Sequence, residues 1–275
     1  MVQGGKTMFN EMMRAEIWLQ ETLDSQLSIE DLATRMGYSS SQVRRRFRQS
    51  FGISPSAYRD MLRLEKAARL LIHTPHGVHD IAKRCGYRNH SAFTRAFQRR
   101  YRVAPREYRQ NQRLELYRQR HNLPHFSVKM ADLPLRRAAV TRLYQPPEII
   151  ENLDNWQRNA EGAYDLPARL TNAAPIAILH DHPLASEAPR IDLGVHVDEE
   201  HAHRLALPLP FRLVMLPAQR HACITLEDSS HLTSAMLFMA CRGLSEHGVY
   251  LSGEAPQLVK GKYGLELRLP LLEED

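Results

Sequence analysis

The stretch DLATRMGYSSSQVRRRFRQSFG, residues 31–52, decides the fold of the first half of this 275-residue chain. One helical pattern ends at Gly37, a serine-rich stretch follows, and a second helical pattern ends at Gly52. Asp31 stands three residues after Ser28, as in a capping box at the start of a helix. Glycine readily supplies the left-handed residue that ends a helix. The stretch therefore predicts two short helices joined by a tight turn, which is the helix-turn-helix layout.

The same pattern occurs twice in the chain. Residues 29–59 align with residues 78–109, with one extra residue in the second copy. Between the copies, Ser54 and Pro55 have the character of an N-cap and a first helical residue, and the helical pattern continues to about His73. An internal repeat constrains a fold more than a single motif does. We therefore predict two helix-turn-helix units joined by a helix about 28 Å long.

The second helix of the first copy has arginine at four of five consecutive positions, 44–48. At 100° per residue, Val43, Phe47 and Phe51 share an apolar stripe, and Arg45 lies roughly opposite to them. Arginine can donate two hydrogen bonds to a guanine edge or to a phosphate. The polar side chains predicted to project outward are Ser41, Arg45 and Arg48 in the first copy and Ser91, Thr94, Arg95 and Gln98 in the second.

The net charge divides the chain into a basic and an acidic part. Residues 1–121 contain 23 Lys and Arg against 11 Asp and Glu, a net charge of +12, and residues 122–275 contain 14 against 20, a net charge of −6. A basic domain favours an anionic polymer as its partner. Two aligned arginine-bearing helices in the basic part predict binding to double-stranded DNA. RNA is the weaker alternative because no aromatic stacking surface is evident, and a merely solvated arginine face is the other alternative.

The repeat resembles the DNA-binding domain of the AraC/XylS family of transcription regulators. The motifs that carry the resemblance are DLATRMGY and DIAKRCGY, with PSAYR and PREYR closing the copies, and it covers residues 8–112. It implies an all-α domain with paired helix-turn-helix units that reads two consecutive major grooves, with activation as one possible mode of control and RNA polymerase as a possible partner. The residues that it places against DNA are Ser41, Gln42, Arg44, Arg45 and Arg48, and then Asn89, His90, Ser91, Thr94 and Arg95.

The acidic part has a different pattern, after a polar segment, 113–124, that we expect to be a linker. Residues 125–275 contain short apolar or alternating runs that predict strands, and helical spacing interrupts them at about 147–162 and 230–247. The order predicts an α+β domain with a duplicated β-α-β-β module. The runs are FSVKMADL, RRAAVTRLY, PIAILHD, RIDLGVHV, FRLVML, RHACITLE and LELRLPL.

This part resembles the GyrI-like effector-binding domain, and the two domains in this order resemble the Rob-type architecture. The matching segments are LPLRRAAVTRLY, ILHDHP with PRIDLGVHV, and LELRLPL, whereas APQLVKG lacks the glutamate of the usual P-x-x-E-x-Y segment. The resemblance implies that an amphiphilic or aromatic small molecule, often a hydrophobic cation, binds in a cleft between the modules. Aromatic rings and a carboxylate suit such a ligand. The candidates are Trp156, Tyr164, Phe211, Tyr250, Glu254 and Glu266.

Two other roles stay open for the acidic part. The segments 180–182 (HDH) and 199–203 (EEHAH) carry metal-ligating side chains, although HxH alone does not make a closed site. A protein-contact surface that shields or sequesters the DNA-binding half is the other role.

With no HExxH motif or phosphate loop, we expect no enzymatic activity and no cofactor. Three cysteines without CxxC spacing and the lack of a signal-peptide or membrane-spanning pattern predict a cytoplasmic protein without a membrane partner.

Overall fold

The computed structural model describes residues 2–144, 153, 170, 173–181, 190–198, 205–244, 247–261 and 264–273. These residues belong to two units, Met1–Leu114 and Glu115–Asp275. Within the described ranges, no helix has both the length and the apolar character needed to cross a bilayer.

The first unit is helical, and its last helix continues beyond it. The expected linker, 113–124, is helical as far as Gln119 and then forms a single turn at Arg120–Asn122. The predicted helix-turn-helix units are α2 with α3 and α5 with α6. The helices are α1 (Val2–Glu21), α2 (Ile29–Met36), α3 (Ser40–Phe51), α4 (Pro55–His73), α5 (Val78–Arg84), α6 (His90–Tyr101) and α7 (Pro105–Gln119).

Helix α2 begins and ends as its sequence predicts. The Asp31 carboxylate accepts a hydrogen bond from the Ser28 backbone N–H at 2.6 Å, and the Ser28 hydroxyl oxygen accepts one from the Asp31 N–H at 3.2 Å. These hydrogen bonds from Ser28 lower the pKa of the Asp31 carboxyl. Gly37 follows the helix with a φ of 70°, in the left-handed region. The capping box and the glycine stop are both confirmed.

Two hydrophobic cores hold the helices of the first unit. Phe47 of α3 is completely buried in the first core, and its ring meets that of Tyr58 edge-on at 5.4 Å. Phe97 of α6 is completely buried in the second core, and its ring meets that of Tyr108 in the same way at 5.2 Å. The tyrosine of each closing P-x-x-Y-R motif therefore packs on the apolar stripe of the preceding helix. Helix α4 contributes to both cores, through Tyr58 and Leu62 to the first and through five residues from Leu64 to Leu71 to the second.

The second unit is built on one curled antiparallel sheet. The order of its eight strands is β1-β6-β8-β7-β3-β4-β2-β5. Between β6 and β7, helix α8 (Leu232–Phe238) follows a short turn and continues as a π-helical segment, Met239–Gly243. The strands are β1 (Val128–Leu133), β2 (Arg136–Tyr144), β3 (Pro175–Leu179), β4 (Arg190–Val197), β5 (Arg212–Leu216), β6 (Gln219–Leu226), β7 (Gln257–Gly261) and β8 (Gly264–Pro270).

The seven predicted runs all contain a strand, and the prediction missed β7. Helix α8 confirms the helical stretch expected near 230–247, and the other expected helix, 147–162, lies almost entirely outside the described residues. The predicted module is wrong in its strand count, because two strands rather than one precede the helix of the second half. The order from β5 to β8 is β-β-α-β-β. The runs themselves contain both strands, because FRLVML and RHACITLE precede this helix and are separated by Pro217, which cannot donate to a strand ladder.

The sheet consists of two equivalent halves that exchange their first strands. The order β5-β2-β4-β3 in one half corresponds to β1-β6-β8-β7 in the other, and the halves meet where β3 pairs with β7. The register repeats as well. Leu133 of β1 is opposite Gln219 of β6, and Leu216 of β5 is opposite Arg136 of β2. Each half thus supplies the edge strand of the other.

The two faces of the sheet carry different layers. Helix α8 covers one face, where Leu265, Leu267 and Leu269 of β8 join the main core. Because successive side chains of a strand point to opposite faces, Glu266 and Arg268 lie on the other face. A smaller apolar cluster on that face includes Ala138, Val140, Ile176, Ile178, Leu216 and Val259.

We predict opposite effects on stability from two equivalent helix ends in the first unit. Gly52 ends α3 with a φ of 76°, and Arg102 ends α6 with a φ of 64°. Gly52→Ala should lower the free energy of unfolding by about 1 kcal/mol, because a side chain disfavours this conformation. Arg102→Gly should raise it by about 0.5–1 kcal/mol, because it removes the same penalty. Chemical denaturation followed by the circular dichroism of the helices measures both changes, and shifts of the same sign would contradict the prediction.

Candidate nucleic-acid interface

The outward face of α3 presents three of its four arginines to solvent. Arg45 and Arg48 are exposed, and no hydrogen bond or ion pair involves them within the described part of the chain. The Arg44 guanidinium lies 2.9 Å from the Glu30 carboxylate, but the two side chains are 53% and 62% exposed. An ion pair this exposed contributes about 0–1 kcal/mol. All three guanidiniums can therefore turn to a DNA phosphate or base edge at little cost.

Arg46 has a different role from its three neighbours. Its Nη1 donates to the Glu11 carboxylate of α1 at 3.1 Å, and its guanidinium lies over the Tyr38 ring at 4.4 Å from the ring centre. The Tyr38 hydroxyl donates to the same carboxylate at 2.9 Å. Arg46 therefore ties α3 to α1 and to the turn before α3.

The start of α3 places two polar side chains beside the exposed arginines. Ser39 is the N-cap, and its backbone N–H donates to the Gln42 side-chain oxygen at 2.9 Å. This bond fixes the Gln42 side chain and leaves its amide N–H groups as outward donors. Ser41 is exposed next to it, with its hydroxyl 3.0 Å from that of Ser39.

Helix α6 presents a similar face, in which the candidate residues divide into two kinds. Asn89 is the N-cap of α6, and its side-chain oxygen accepts from the backbone N–H groups of Ser91 and Ala92 at 2.8 and 3.2 Å. The Thr94 hydroxyl oxygen is buried and has no hydrogen-bond partner among the described residues. His90, Ser91 and Arg95 are exposed and remain the outward groups of this helix.

Four other arginines hold the ends of the helices, and sequence reasoning missed this role. Arg63 donates from Nε to the Leu23 carbonyl at 2.8 Å and from Nη2 to the Ser25 carbonyl at 3.0 Å, just past the end of α1. Arg59 donates to the Leu27 carbonyl in the same segment. Carbonyls at the end of a helix lack intrahelical donors, and cations are favoured there.

The second copy repeats these contacts at the end of α4. Arg109 donates to the carbonyls of Leu71 and His76 at 2.9 and 2.5 Å. Arg113 donates to the carbonyls of Ile72 and Thr74 at 3.0 and 2.7 Å. In the repeat, Arg59 aligns with Arg109 and Arg63 with Arg113. The recurrence of arginine at these aligned positions was the available signal. Part of the positive charge of the first half therefore serves the fold.

The candidate ligand residues of the second unit do not share one face of the sheet. Phe211 is 5% exposed in the main core, whereas Glu266 lies on the opposite face of the sheet and accepts from Arg268 Nε at 2.5 Å. Tyr250 is 43% exposed, and Glu254 is exposed in the loop before β7. Trp156 and Tyr164 lie outside the described residues. The sheet thus separates Phe211 from Glu266, and Phe211 is a core residue.

The histidine candidate at the end of β3 takes part in a buried ionic cluster. The Asp192 carboxylate accepts from Arg142 Nε at 2.6 Å and from Arg212 Nη2 at 2.7 Å, and His180 Nε2 lies 2.7 Å from it. Burial, together with the neighbouring Arg142, lowers the pKa of the His180 imidazole. Residue 182 and residues 199–203 lie outside the description. Among the described residues, no three His, Cys, Asp or Glu side chains are grouped as a metal site requires.

We predict that Asn89 acts mainly through the stability of α6. Asn89→Ala should lower the free energy of unfolding by about 1 kcal/mol, because it removes the N-cap acceptor. Asn89→Ser keeps a capping oxygen, so its free energy of unfolding should be close to that of the unchanged protein. Chemical denaturation of the two variants makes the comparison. An alanine variant as stable as the serine variant would show that the cap contributes nothing.

We predict that Arg109 is needed for stability and not for charge at the DNA. Arg109→Met keeps the apolar stem but leaves two carbonyls without their donor, which should cost about 1–3 kcal/mol of unfolding free energy. The salt dependence of DNA binding by the folded variant should not change, because no phosphate contact is lost. Arg106→Met, at an exposed arginine on the same helix, is the matched control for stability. A reduced salt slope in Arg109→Met would contradict the prediction.

Comparisons with known proteins bear on the first unit. A family model described as a helix-turn-helix domain matches residues 32–111. The HTH-type transcriptional activator RhaS of Enterobacter sp. (strain 638) is 38% identical over 93 residues, which are 34% of this chain and 34% of that protein. The RhaS protein of Salmonella schwarzengrund (strain CVM19633) is 36% identical over the same shares of the two chains. This chain therefore spans about one third of the length of these relatives.

A solved structure is similar over the same part. It is the DNA-binding domain of AdpA, a global transcriptional factor, in complex with a target DNA. The two sequences are 32% identical, and the match covers 38% of this chain and 94% of that chain with a TM-score of 0.37. The family match covers most of the two helix-turn-helix units that the structure shows. Residues 32–111 thus form a helix-turn-helix domain.

Proposed function

We propose that this protein is a transcription regulator that binds DNA in a sequence-specific manner through α3 and α6. The observation that carries the proposal is the repeated exposure of arginine at one equivalent position of both helices. Arg45 lies opposite the completely buried Phe47, and Arg95 lies opposite the completely buried Phe97. The RhaS relatives are transcriptional activators by name. Activation is therefore the mode of control that we propose, with RNA polymerase as a protein partner.

The length of α4 supports binding to two consecutive major grooves. The helix has 19 residues, and a rise of about 1.5 Å per residue makes it about 28 Å long. Consecutive major grooves on one side of B-DNA lie about 34 Å apart. Because α4 is packed into both cores, it is a rigid spacer of suitable length between the two helix-turn-helix units. One chain would then span a DNA site without a partner subunit, and the site would not need to be palindromic.

The candidate contacts differ in what they can recognise. We propose that Arg45 and Arg95, at the centres of their helices, reach base edges, where arginine pairs best with guanine. Arg44 and Arg48 flank Arg45 and are suited to phosphates, which position the protein on the duplex. Ser41, Gln42, His90 and Ser91 lie near the helix starts, where the residues that contact bases in a helix-turn-helix are usually found. Asn89 and Thr94 support α6 in this proposal.

For the second unit, we propose the GyrI-like assignment and control of DNA binding by a small molecule. The support is the duplicated antiparallel sheet with one face away from α8 and the position of this unit after a DNA-binding domain. A ligand that binds one conformational state of a regulator more tightly than another shifts the population toward that state.

The first experiment identifies the DNA site and then removes each central arginine. Selection from a random duplex pool with the full chain should yield a site with two specified segments about one helical turn apart. Arg45→Ala should weaken binding by about 1–3 kcal/mol and relax the preference at a base in one segment, and Arg95→Ala should do so in the other. Arg14→Ala, an exposed arginine on α1, is the control for the loss of one charge.

Two results would contradict the proposal. Enrichment of no sequence would exclude specific recognition under these conditions. Uniformly weaker binding to all sequences by Arg45→Ala and Arg95→Ala, with a salt slope reduced by about one, would show that the two arginines contact phosphates instead of bases.

A further inference from the structure

A pocket of about 360 Å³ opens at one end of the sheet of the second unit. It is formed by the start of β2, the end of β4 and one residue of β8. The residues that matter here are Leu135, Arg136, Arg137, His196, Val197 and Arg268. The volume is within the range of small-molecule sites, about 300–1,000 Å³. None of the four described ligand candidates, Phe211, Tyr250, Glu254 and Glu266, lines the pocket.

The lining of the pocket is strongly cationic. It includes three arginines, Arg136, Arg137 and Arg268, and one acidic residue, Asp198. Glu266 lies beside the pocket and accepts from Arg268 Nε, which leaves the two terminal nitrogens of Arg268. His196 adds no charge near neutral pH, because burial and the nearby Arg136 and Arg268 lower its pKa to about 4.

Arg136 is held rigidly with one donor nitrogen unused. Its Nε donates to the Pro134 carbonyl at 3.2 Å, and its Nη1 donates to the side-chain oxygen of the buried Gln257 at 3.1 Å. Its Nη2 is buried and has no hydrogen-bond partner within the described residues. A buried donor without a partner destabilises the fold, because it has lost its hydrogen bonds to water. Burial and the like charge of Arg268 lower the pKa of Arg136, so its charge is also poorly compensated.

The symmetry of the sheet shows that the fold does not require these charges. Arg136 in one half corresponds to Gln219 in the other, as the register of the exchanged strands shows. Val140 of β2 is opposite Gly194 of β4. Its equivalent in the other half, Cys223 of β6, is opposite Arg268 of β8. Arg268 therefore corresponds to Gly194. The equivalent strands thus pair in the same way with a neutral glutamine and a glycine at these positions. Arg136 of one half and Arg268 of the other line the same pocket, whereas their equivalents are Gln219 and Gly194, and a ligand accounts for this difference better than folding does.

We propose that this pocket binds a small organic anion, whose carboxylate or phosphate oxygens accept hydrogen bonds from Arg136 Nη2 and Arg268 while its apolar part lies against Leu135. Guanidinium groups bind such oxygens through strong charge-assisted hydrogen bonds. The anion supplies both the partner that Arg136 Nη2 lacks and the missing negative charge. An anion has the opposite charge from the hydrophobic cation that the resemblance to the GyrI-like domain implies. Its regulatory meaning rests on the proposed control of DNA binding by a small molecule.

Three probes of similar size and different charge test the site in the full chain. Benzoate and phenyl phosphate represent the two anion chemistries, and phenyltrimethylammonium represents the cation. Binding is measured by calorimetry at constant ionic strength. Saturable binding of at least one anion and none of the cation is expected, and the stronger anion identifies the oxygen chemistry. Saturable binding of the cation, or of neither anion, would overturn the proposal.

Substitutions then assign the binding to this pocket. Arg136→Gln and Arg268→Gln should each weaken the binding of the anion by about tenfold or more, as expected for the loss of a charge-assisted hydrogen bond. Arg220→Gln removes an exposed arginine on β6 outside the pocket and should bind as the unchanged protein does. Arg268→Gln is the second variant in case Arg136→Gln does not fold, which its melting temperature reveals. Unchanged binding by a folded Arg268→Gln would overturn the assignment.

Affinity for the selected DNA site, measured with and without the anion, separates this inference from the proposed function. A changed affinity that Arg268→Gln abolishes supports both. An anion that binds in the pocket without changing DNA affinity supports the site and overturns its regulatory role. DNA binding without any binding of the anions overturns the site and leaves the proposed binding to DNA intact.

Discussion

Helix α4 has to satisfy two hydrophobic cores at once, and the arrangement of the first unit depends on this constraint. Its first turns pack under α3 through Tyr58 and Leu62, and its later turns pack under α6 through residues as far as Leu71. The helix cannot rotate or slide for one core without disturbing the other. The orientation of the exposed arginines on α3 and α6 is therefore fixed by buried apolar contacts rather than by any contact between the two helices.

Three of the purposes that arginine serves in this chain contrast with one another. Arg45 and Arg95 are exposed on the second helices of the two repeats, whereas Arg63 and Arg109 close the ends of helices through backbone carbonyls. In the second unit, Arg136 projects a buried donor into a pocket. The same side chain suits all three purposes because its planar group donates in several directions and stays charged when partly buried. Net charge alone therefore overstates the charge available to DNA.

The local features of the first unit could be predicted from sequence because they depend on neighbouring residues. Ser28 and Asp31 cap a helix within one turn. The apolar stripe from Val43 to Phe51 predicts which side of α3 packs into the core. The carbonyl contacts of Arg63 could not be predicted, because they depend on where a distant helix ends. In the second unit, alternation revealed most strands, but QLVKG at β7 is too short and too mixed to stand out.

Strand pairing and the pocket were beyond sequence reasoning for the same physical reason. Both depend on residues that are far apart along the chain, such as Arg136 and Arg268, which come together only after eight strands are ordered. The aromatic and acidic side chains chosen as ligand candidates were selected by type, and type does not say which face of a sheet they occupy. Phe211 shows this, because its ring fills the core.

The exchange of β1 and β5 makes the second unit equivalent to a strand-swapped dimer contained in a single polypeptide. A single half, separated from the other, would lack the strand that covers the outer edge of β2 or β6, and that edge would be open to pairing with another chain. Two identical copies of one half could close the same sheet by donating their first strands to each other, as subunits of a symmetric dimer do. Because the two halves are parts of one chain, their sequences can differ, and one half has Arg268 where the other has Gly194.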